Sequence, residues 1–356
     1  MNLLFMLGNG FDLALGLATS YRAFYDWCWL DDDGKANPSR VKKDIYTPAG
    51  NEFMRCVRDG MKKCRDWSDF EKALELVAYE NMSAIPGALP GINAANVIHF
   101  LQTAMYTYLK EQNALFLPPK DIQNEVRSVF VQSLYWMIKR YVGDETISSL
   151  DFLTFNYTNS LEKILGCPSE TNSAWHVHGS IAANDMIVGI DGIKHHPFGK
   201  TMGEYYRVLV KSEQIKNGMG NNDREKRAKE VIEKSDLIVC YGLSFGDSDY
   251  RWWKCIRDSL SANISSRVLI VPYSRHINMI LATNRMRHIM RCWQDRLIRG
   301  MCKTQKGDKT GLAKEAGEIE VIRHKILVAD FNDCPTGDFC NLKTIGQKIG
   351  CPEISH

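Results

Sequence analysis

Residues 3–21 read LLFMLGNGFDLALGLATSY, and this stretch decides the fold. Five apolar residues, Leu3–Leu7, run without interruption into Gly8-Asn9-Gly10, and a further glycine turn follows at Gly16. A short apolar run that stops at glycine reads as a strand buried on both faces, the kind found in parallel sheets covered by helices. Glycine lets a phosphate or ribose approach backbone N–H groups because no Cβ intervenes. A helix starting there adds its N-terminal dipole. The spacing departs from Gly-x-Gly-x-x-Gly at its last position, where Leu13 stands. By itself the stretch therefore fits a nucleotide-binding turn or a plain turn equally. It lacks the basic n-region of an export signal, and its apolar run is too short for one.

Outward from this segment, similar runs recur at Asp151–Phe155, Trp175–Val177, Met186–Ile190, Asp236–Tyr241, Val268–Val271 and Lys325–Val328, with helix-compatible sequence between them. The alternation predicts an α/β fold: a doubly wound, mostly parallel, Rossmann-like sheet. One stretch breaks it. Residues 51–142 contain no strand signal, but Glu52–Cys64, Asp69–Tyr79, Ala94–Glu111 and Asp121–Tyr141 carry helical spacing of apolar residues. Ser68 suits the cap of the second of these, with Glu71 at the capping-box position or in a catalytic role. Pro86, Gly87, Pro90 and Gly91 punctuate the loop after it. The expected organisation is a discontinuous α/β domain, 1–50 and 143–356, with a helical insertion at 51–142. A smaller insertion is expected around His195–Lys234, with Asn217–Lys229 a solvated loop and helix start.

Composition narrows the class. The 356 residues are 44% hydrophobic and 24% charged, which is ordinary globular usage and excludes disordered, collagen-like and coiled-coil proteins. A net charge of +3 argues against a dedicated nucleic-acid coat. No window reaches the roughly 18 apolar residues of a membrane helix. The eleven cysteines are scattered, odd in number and free of any Cys-x-x-Cys pair, so reduced thiols in a soluble cytoplasmic protein are expected, with no metal site. Arg285–Lys309 is basic, with Met286, Ile289, Met290, Trp293 and Leu297 at helical spacing. It reads as an amphipathic surface helix or as a face for nucleic acid or another acidic partner.

Three further segments carry candidate chemistry. DFLTFNYTNSLEKILG delivers Asn156 at the carboxyl end of a strand, where ligands of open α/β sheets bind; there it serves a ligand or caps a turn. WHVHGS places His176 and His178 on opposite sides of a short strand, which disfavours a shared metal. His178 ends that strand, before Gly179, and has the chemistry of a base near neutral pH. SDLIVCYGLSFGDSDYRWW ends a strand in Gly242, followed by Ser244, Gly246, Asp247 and Asp249. Those carboxylates suit ribose hydroxyls or a helix cap. GIKHHPFGKT ends like a P-loop, but six residues separate Gly192 from Gly199 where that loop has four.

Taken in order, LGNGFDLALGLATSY, DWSDFE, FLTFNYTNSLEKI, HVHGS and YGLSFGDSDY resemble the AbiH family of bacteriophage abortive infection proteins. The resemblance implies an anti-phage effector. Gly8-Asn9-Gly10 with Gly16, Thr154-Phe155-Asn156 with Leu161-Glu162, His178-Gly179, and Gly242 with Ser244 are more distantly similar to sirtuin-like NAD hydrolases. That second resemblance implies NAD as substrate, with Asn156 and His178 at its nicotinamide end. Asn9 and Asp12 stand where sirtuins have small residues, so Asp12 either stabilises the developing positive charge or marks a different nucleotide. Gly8, Asn9, Gly10 and Phe11 would take the diphosphate, and Ser244 with Asp249 the adenosine ribose. Thr19, Tyr157, Gly179 and Gly242 would complete the nucleotide contacts. A sirtuin deacylase carries two Cys-x-x-Cys pairs and this chain has none, so hydrolysis of the nicotinamide–ribose bond is the residual chemistry. A nucleotide-binding sensor without turnover and a nucleic-acid-directed effector remain open alternatives. A homo-oligomer, a phage-derived trigger and no membrane partner are further expectations.

Overall fold

The computed structural model describes residues 1–29, 62, 64, 70, 71, 94–116, 124, 128, 132, 135–165, 175–189, 211, 222–246, 249–273, 283–301, 319 and 321–329. The loop at Pro86–Gly91, Ser68, Asp247 and most of the expected helices Glu52–Cys64 and Asp69–Tyr79 lie outside them. The chain divides into two compact units. The first comprises Met1–Leu17, Leu115–Val177 and Asp223–His356, and the second Ala18–Ala114 and His178–Asn222. These cuts fall elsewhere than the insertion boundaries 51 and 142 drawn above.

The first unit is an α/β domain with a six-stranded, entirely parallel sheet. Its strands are β1 (Asn2–Leu7), β2 (Ser149–Thr154), β3 (Trp175–His176), β4 (Leu237–Tyr241), β5 (Arg267–Val271) and β6 (Ile326–Val328). Their order in the sheet is β3-β2-β1-β4-β5-β6. β1 from Leu3, β4 throughout and β5 from Val268 are continuously apolar because both faces are covered there. Alternate residues point to opposite sides. Leu3, Phe5, Leu7, Val239, Tyr241, Leu269 and Val271 enter one core. Leu4, Met6, Ile238, Cys240, Val268 and Ile270 enter the other. Each fully buried Leu, Ile or Phe contributes about 1.5–3 kcal/mol of burial free energy, so this sheet is the stable frame for whatever its ends carry.

Helices close both cores. α1 (Asn9–Ala14), α4 (Ser160–Leu165) and the helical residues 135–141 cover the first through Phe11, Leu161, Ile164, Met137 and Ile138. α5 (Asn222–Lys234), α6 (Tyr250–Ala262) and α7 (Thr283–Met301) cover the second through Ile232, Trp252, Trp253, Ile256 and Leu297. The basic segment thus begins as an amphipathic helix: Leu297 and Met301 are buried, while Arg291, Arg296 and Arg299 are exposed.

The second unit holds α2 (Tyr21–Trp29) and α3 (Ala94–Leu115), the latter running beyond its expected end at Glu111. Its core is aromatic. Tyr21 stacks on Phe70 at 5.1 Å, and Phe24 and Trp27 flank Tyr108 at 5.6 and 5.4 Å. The Tyr108 hydroxyl donates to the Ala18 carbonyl. Glu71 pairs with the buried Lys211 at 2.7 Å, a tie between distant parts of the chain. Met186–Ile190 is not a strand over its described residues. Ile187 and Val188 are buried as the apolar run requires, but the segment belongs to the unit without the sheet. Its backbone closes a local turn, Ile187 N–H donating to the His178 carbonyl, and the Gln102 amide takes the Val188 carbonyl.

In the first unit, the turn after β1 and the turn after β4 interlock backbone against backbone. Gly8 N–H donates to Tyr241 O at 2.9 Å and Gly10 N–H to Gly242 O at 3.0 Å. A Cβ on Gly10 would lie 2.5 Å from Gly242 Cα and 2.6 Å from Tyr273 Cβ. Gly242 also has φ +64°, in the left-handed region. Gly10→Ala is expected to lower unfolding free energy by about 1–3 kcal/mol, the usual cost of overpacking, read as a fall in the urea midpoint. Gly143→Ala is the comparison. There φ is +104° but nothing lies within 4 Å of the added Cβ, so only backbone strain counts and the loss should be smaller. Equal losses would mean that the interlock is not what Gly10 supplies.

Candidate functional site

In an open parallel sheet, ligands bind beyond the carboxyl ends of the strands, where the strand order reverses. Here that reversal lies between β1 and β4. The residues leaving β1, β2, β3 and β4 at this edge are Gly8–Asp12, Phe155–Ser160, Val177 and Gly242–Gly246. The structure brings Gly8, Gly10, Asp12, Asn156 and Gly242 together in the first unit. It adds Thr158, Ser160, Glu162 and His176, which the motif reading left without a site role.

Asn156 is 7% exposed and tied at three points. Its N–H donates to Thr154 Oγ1 at 3.1 Å, its carbonyl accepts from His176 Nδ1 at 2.8 Å, and its Nδ2 donates to Gly8 O at 3.1 Å. That last bond orients the amide, because only nitrogen can face a carbonyl. The acceptor Oδ1 has no hydrogen-bond partner among the described residues. The strand therefore presents an oriented amide, held to the β1 turn, at its tip.

Asp12 lies on α1 and is 1% exposed. Thr158 Oγ1 donates to its Oδ2 at 2.6 Å and Ser160 Oγ to its Oδ1 at 2.5 Å. Burial raises its pKa to about 6, against the lowering pull of the Ser160 and Thr158 hydroxyls, the His176 charge and the Asn156 amide. Through these two hydroxyls Asp12 joins α1 to the start of α4. In the glycine turn, the N–H groups of Gly8, Gly10 and Phe11 donate to Tyr241 O, Gly242 O and Gly8 O.

His176 and Glu162 form a buried pair, Nε2 to Oε1 at 2.7 Å, with side chains 9% and 6% exposed. Glu162 stands on α4 beside the buried Leu161, Ile164 and Leu165. A carboxylate on the apolar face of a helix demands a partner. That was the signal available in the sequence; the partner's identity was not.

The loop after β4 is held from the other core. Phe245 takes φ +55°, a conformation uncommon for a bulky residue. It packs edge-on to Trp253 at 5.2 Å, Phe155 stacks on Trp253 at 5.5 Å, and the Trp253 indole N–H donates to Gly246 O at 2.8 Å. Ser244 is exposed between these anchors. Asp249 occupies the N-cap position of α6 without a side-chain cap bond, so the cap reading does not account for it. Asn9 and Tyr157 are half-buried within the first unit. Thr19, His178 and Gly179 belong to the second. There Thr19 and His178 are 2% and 4% exposed, and Gly179 has φ +79° in the turn closed by Asp185. Among the described residues, no three His, Cys, Asp or Glu side chains gather as metal ligands, and no helix is long and apolar enough to cross a membrane.

The raised Asp12 pKa has a sign that can be measured. The folded protein keeps a proton that the unfolded chain releases above 3.8, so this group's contribution is fully present below about 4 and is lost as pH rises through about 6. The gap corresponds to about 3 kcal/mol. Asp12→Asn removes the titration. Its urea midpoint is expected to gain on wild type as pH goes from about 4 to about 7.5, whereas a difference that stays constant would contradict a buried, proton-holding Asp12.

Comparison with characterised proteins and with solved structures gives no significant match. A comparison with protein families does: the model described as bacteriophage abortive infection AbiH matches residues 4–270. That span covers β1 through most of β5 and includes every residue of the buried polar cluster. The chain belongs to the AbiH family of bacteriophage abortive infection proteins.

Proposed function

We propose that this abortive infection protein binds NAD at the carboxyl edge of its parallel sheet and hydrolyses the nicotinamide–ribose bond. The observation that carries the reading is Asn156, whose amide is oriented by Gly8 O so that Oδ1 is left as an acceptor at the tip of β2. An acceptor so placed suits a ribose hydroxyl or a water. The strand order puts it beside the reversal at which nucleotides bind in such sheets. The roles follow the sirtuin-like resemblance. The C–N bond to nicotinamide breaks with its electron pair leaving on the nicotinamide nitrogen. The oxocarbenium-like ribose carbon is captured by a water that Asn156 orients, and the proton of that water passes to solvent. The products are nicotinamide, ADP-ribose and a proton. Ser244 and Asp249 are assigned the adenosine ribose. With the Gly8 and Gly10 N–H groups engaged, nucleotide recognition rests on side chains at this edge.

The same engagement favours a second reading, a sensor that binds an adenine nucleotide without turnover. Nicotinamide release, followed by chromatography, separates the two. Wild-type protein should consume NAD, and Asn156→Ala should slow consumption by about 100-fold or more. Full activity in that variant would discard the assigned role. NAD bound without nicotinamide release would favour the sensor, and absence of both binding and release would end both readings.

A further inference from the structure

We infer that Glu162 and His176 are positioning residues, which hold the Asn156 peptide and thereby aim its side-chain amide. The argument starts from the protons. His176 Nδ1 faces the Asn156 carbonyl at 2.8 Å. Two acceptors do not face each other at that distance, so Nδ1 carries a hydrogen and donates it. Nε2 faces Glu162 Oε1 at 2.7 Å, and one proton lies between them. Whether that proton sits on nitrogen or on oxygen, the Nδ1–H stays on Asn156 O, and no ring nitrogen has a lone pair to offer. His176 is thus a holder and not a base.

The pairing is built in a closed setting. Glu162 Oε2 is buried without a hydrogen-bond partner among the described residues, so His176 is the group that offsets the carboxylate there. Removing either partner strands the other. The clamp then passes to the site in two bonds. His176 fixes the Asn156 carbonyl, Thr154 Oγ1 fixes its N–H, and with the peptide planes on both sides of its Cα set, Nδ2 reaches Gly8 O. Asn156 Oδ1 is oriented as a consequence. The pair joins α4, β3 and the β2 tip, three elements with no local reason to share a register.

The catalytic consequence rests on the NAD reading above, so the test has a readout that does not. Hydrogen exchange of the Asn156 side-chain amide, followed by NMR, should be slow in wild type. It should be faster by at least about tenfold in His176→Ala and Glu162→Ala. His176→Asn keeps a donor near the place of Nδ1, and Glu162→Gln keeps a partner for Nε2, so both should restore slow exchange. With NAD, His176→Ala should cut kcat by about 100-fold with a smaller change in KM, and His176→Asn should recover most of it. Wild-type protection in His176→Ala and Glu162→Ala would overturn the inference, as would failure of both conservative variants. If one alanine variant does not fold, the remaining alanine variant and the two conservative ones decide. Should exchange follow this pattern in a protein that neither binds nor consumes NAD, the positioning role stands and the NAD reading falls.

Discussion

The contact between the turns that end β1 and β4 is the constraint on which the site depends. Two N–H to carbonyl bonds, from Gly8 and Gly10 to Tyr241 and Gly242, bring the backbones so close that no Cβ fits between them. In many nucleotide-binding sheets a glycine turn opens toward a phosphate. Here the absence of a side chain serves the protein's own backbone. The start of α1 is thereby set against the β4 loop, and with it the Gly8 carbonyl. Asn156 is oriented by that carbonyl, so its direction is inherited from the interlock.

Around this turn the protein buries an unusual amount of polar chemistry. Asp12, Asn156, Thr158, Ser160, Glu162 and His176 are all less than a tenth exposed. Burying such groups is costly unless each is hydrogen-bonded, and the cluster meets that condition at nearly every atom. Its members come from α1, the β2 tip, α4 and β3, so the network fixes the relative placement of elements that apolar packing alone would allow to slide. The Asp12 carboxyl, raised by burial, shows the cost that remains. Membership of a phage-defence family gives this rigidity a context.

Much of the frame was legible from residue order. Uninterrupted apolar runs ending in Gly, Asn or Asp marked the strands, because a strand covered on both faces has no polar positions to spare. Met186–Ile190 shows the limit of that signal. Ile187 and Val188 are buried as their composition requires, yet among the described residues the segment pairs with no strand. Asn156 was legible as a strand-tip residue. The imidazole that holds it was not, since alternation in WHVHGS separates His176 from His178 without saying which neighbour either meets.

The sequence by itself determined the α/β class, the positions of the six sheet strands and the family, because these follow from local periodicity and short ordered motifs. Tertiary structure alone decided what the site residues do. The N–H groups of Gly8 and Gly10 turned inward because β4 lies beside β1. Asp12 became an enclosed tie because α4 starts above it, and Glu162 found His176 because β3 is the neighbour of β2. Hydrogen-bond partners of buried polar groups depend on which elements become neighbours, and that depends on the packing of the whole sheet.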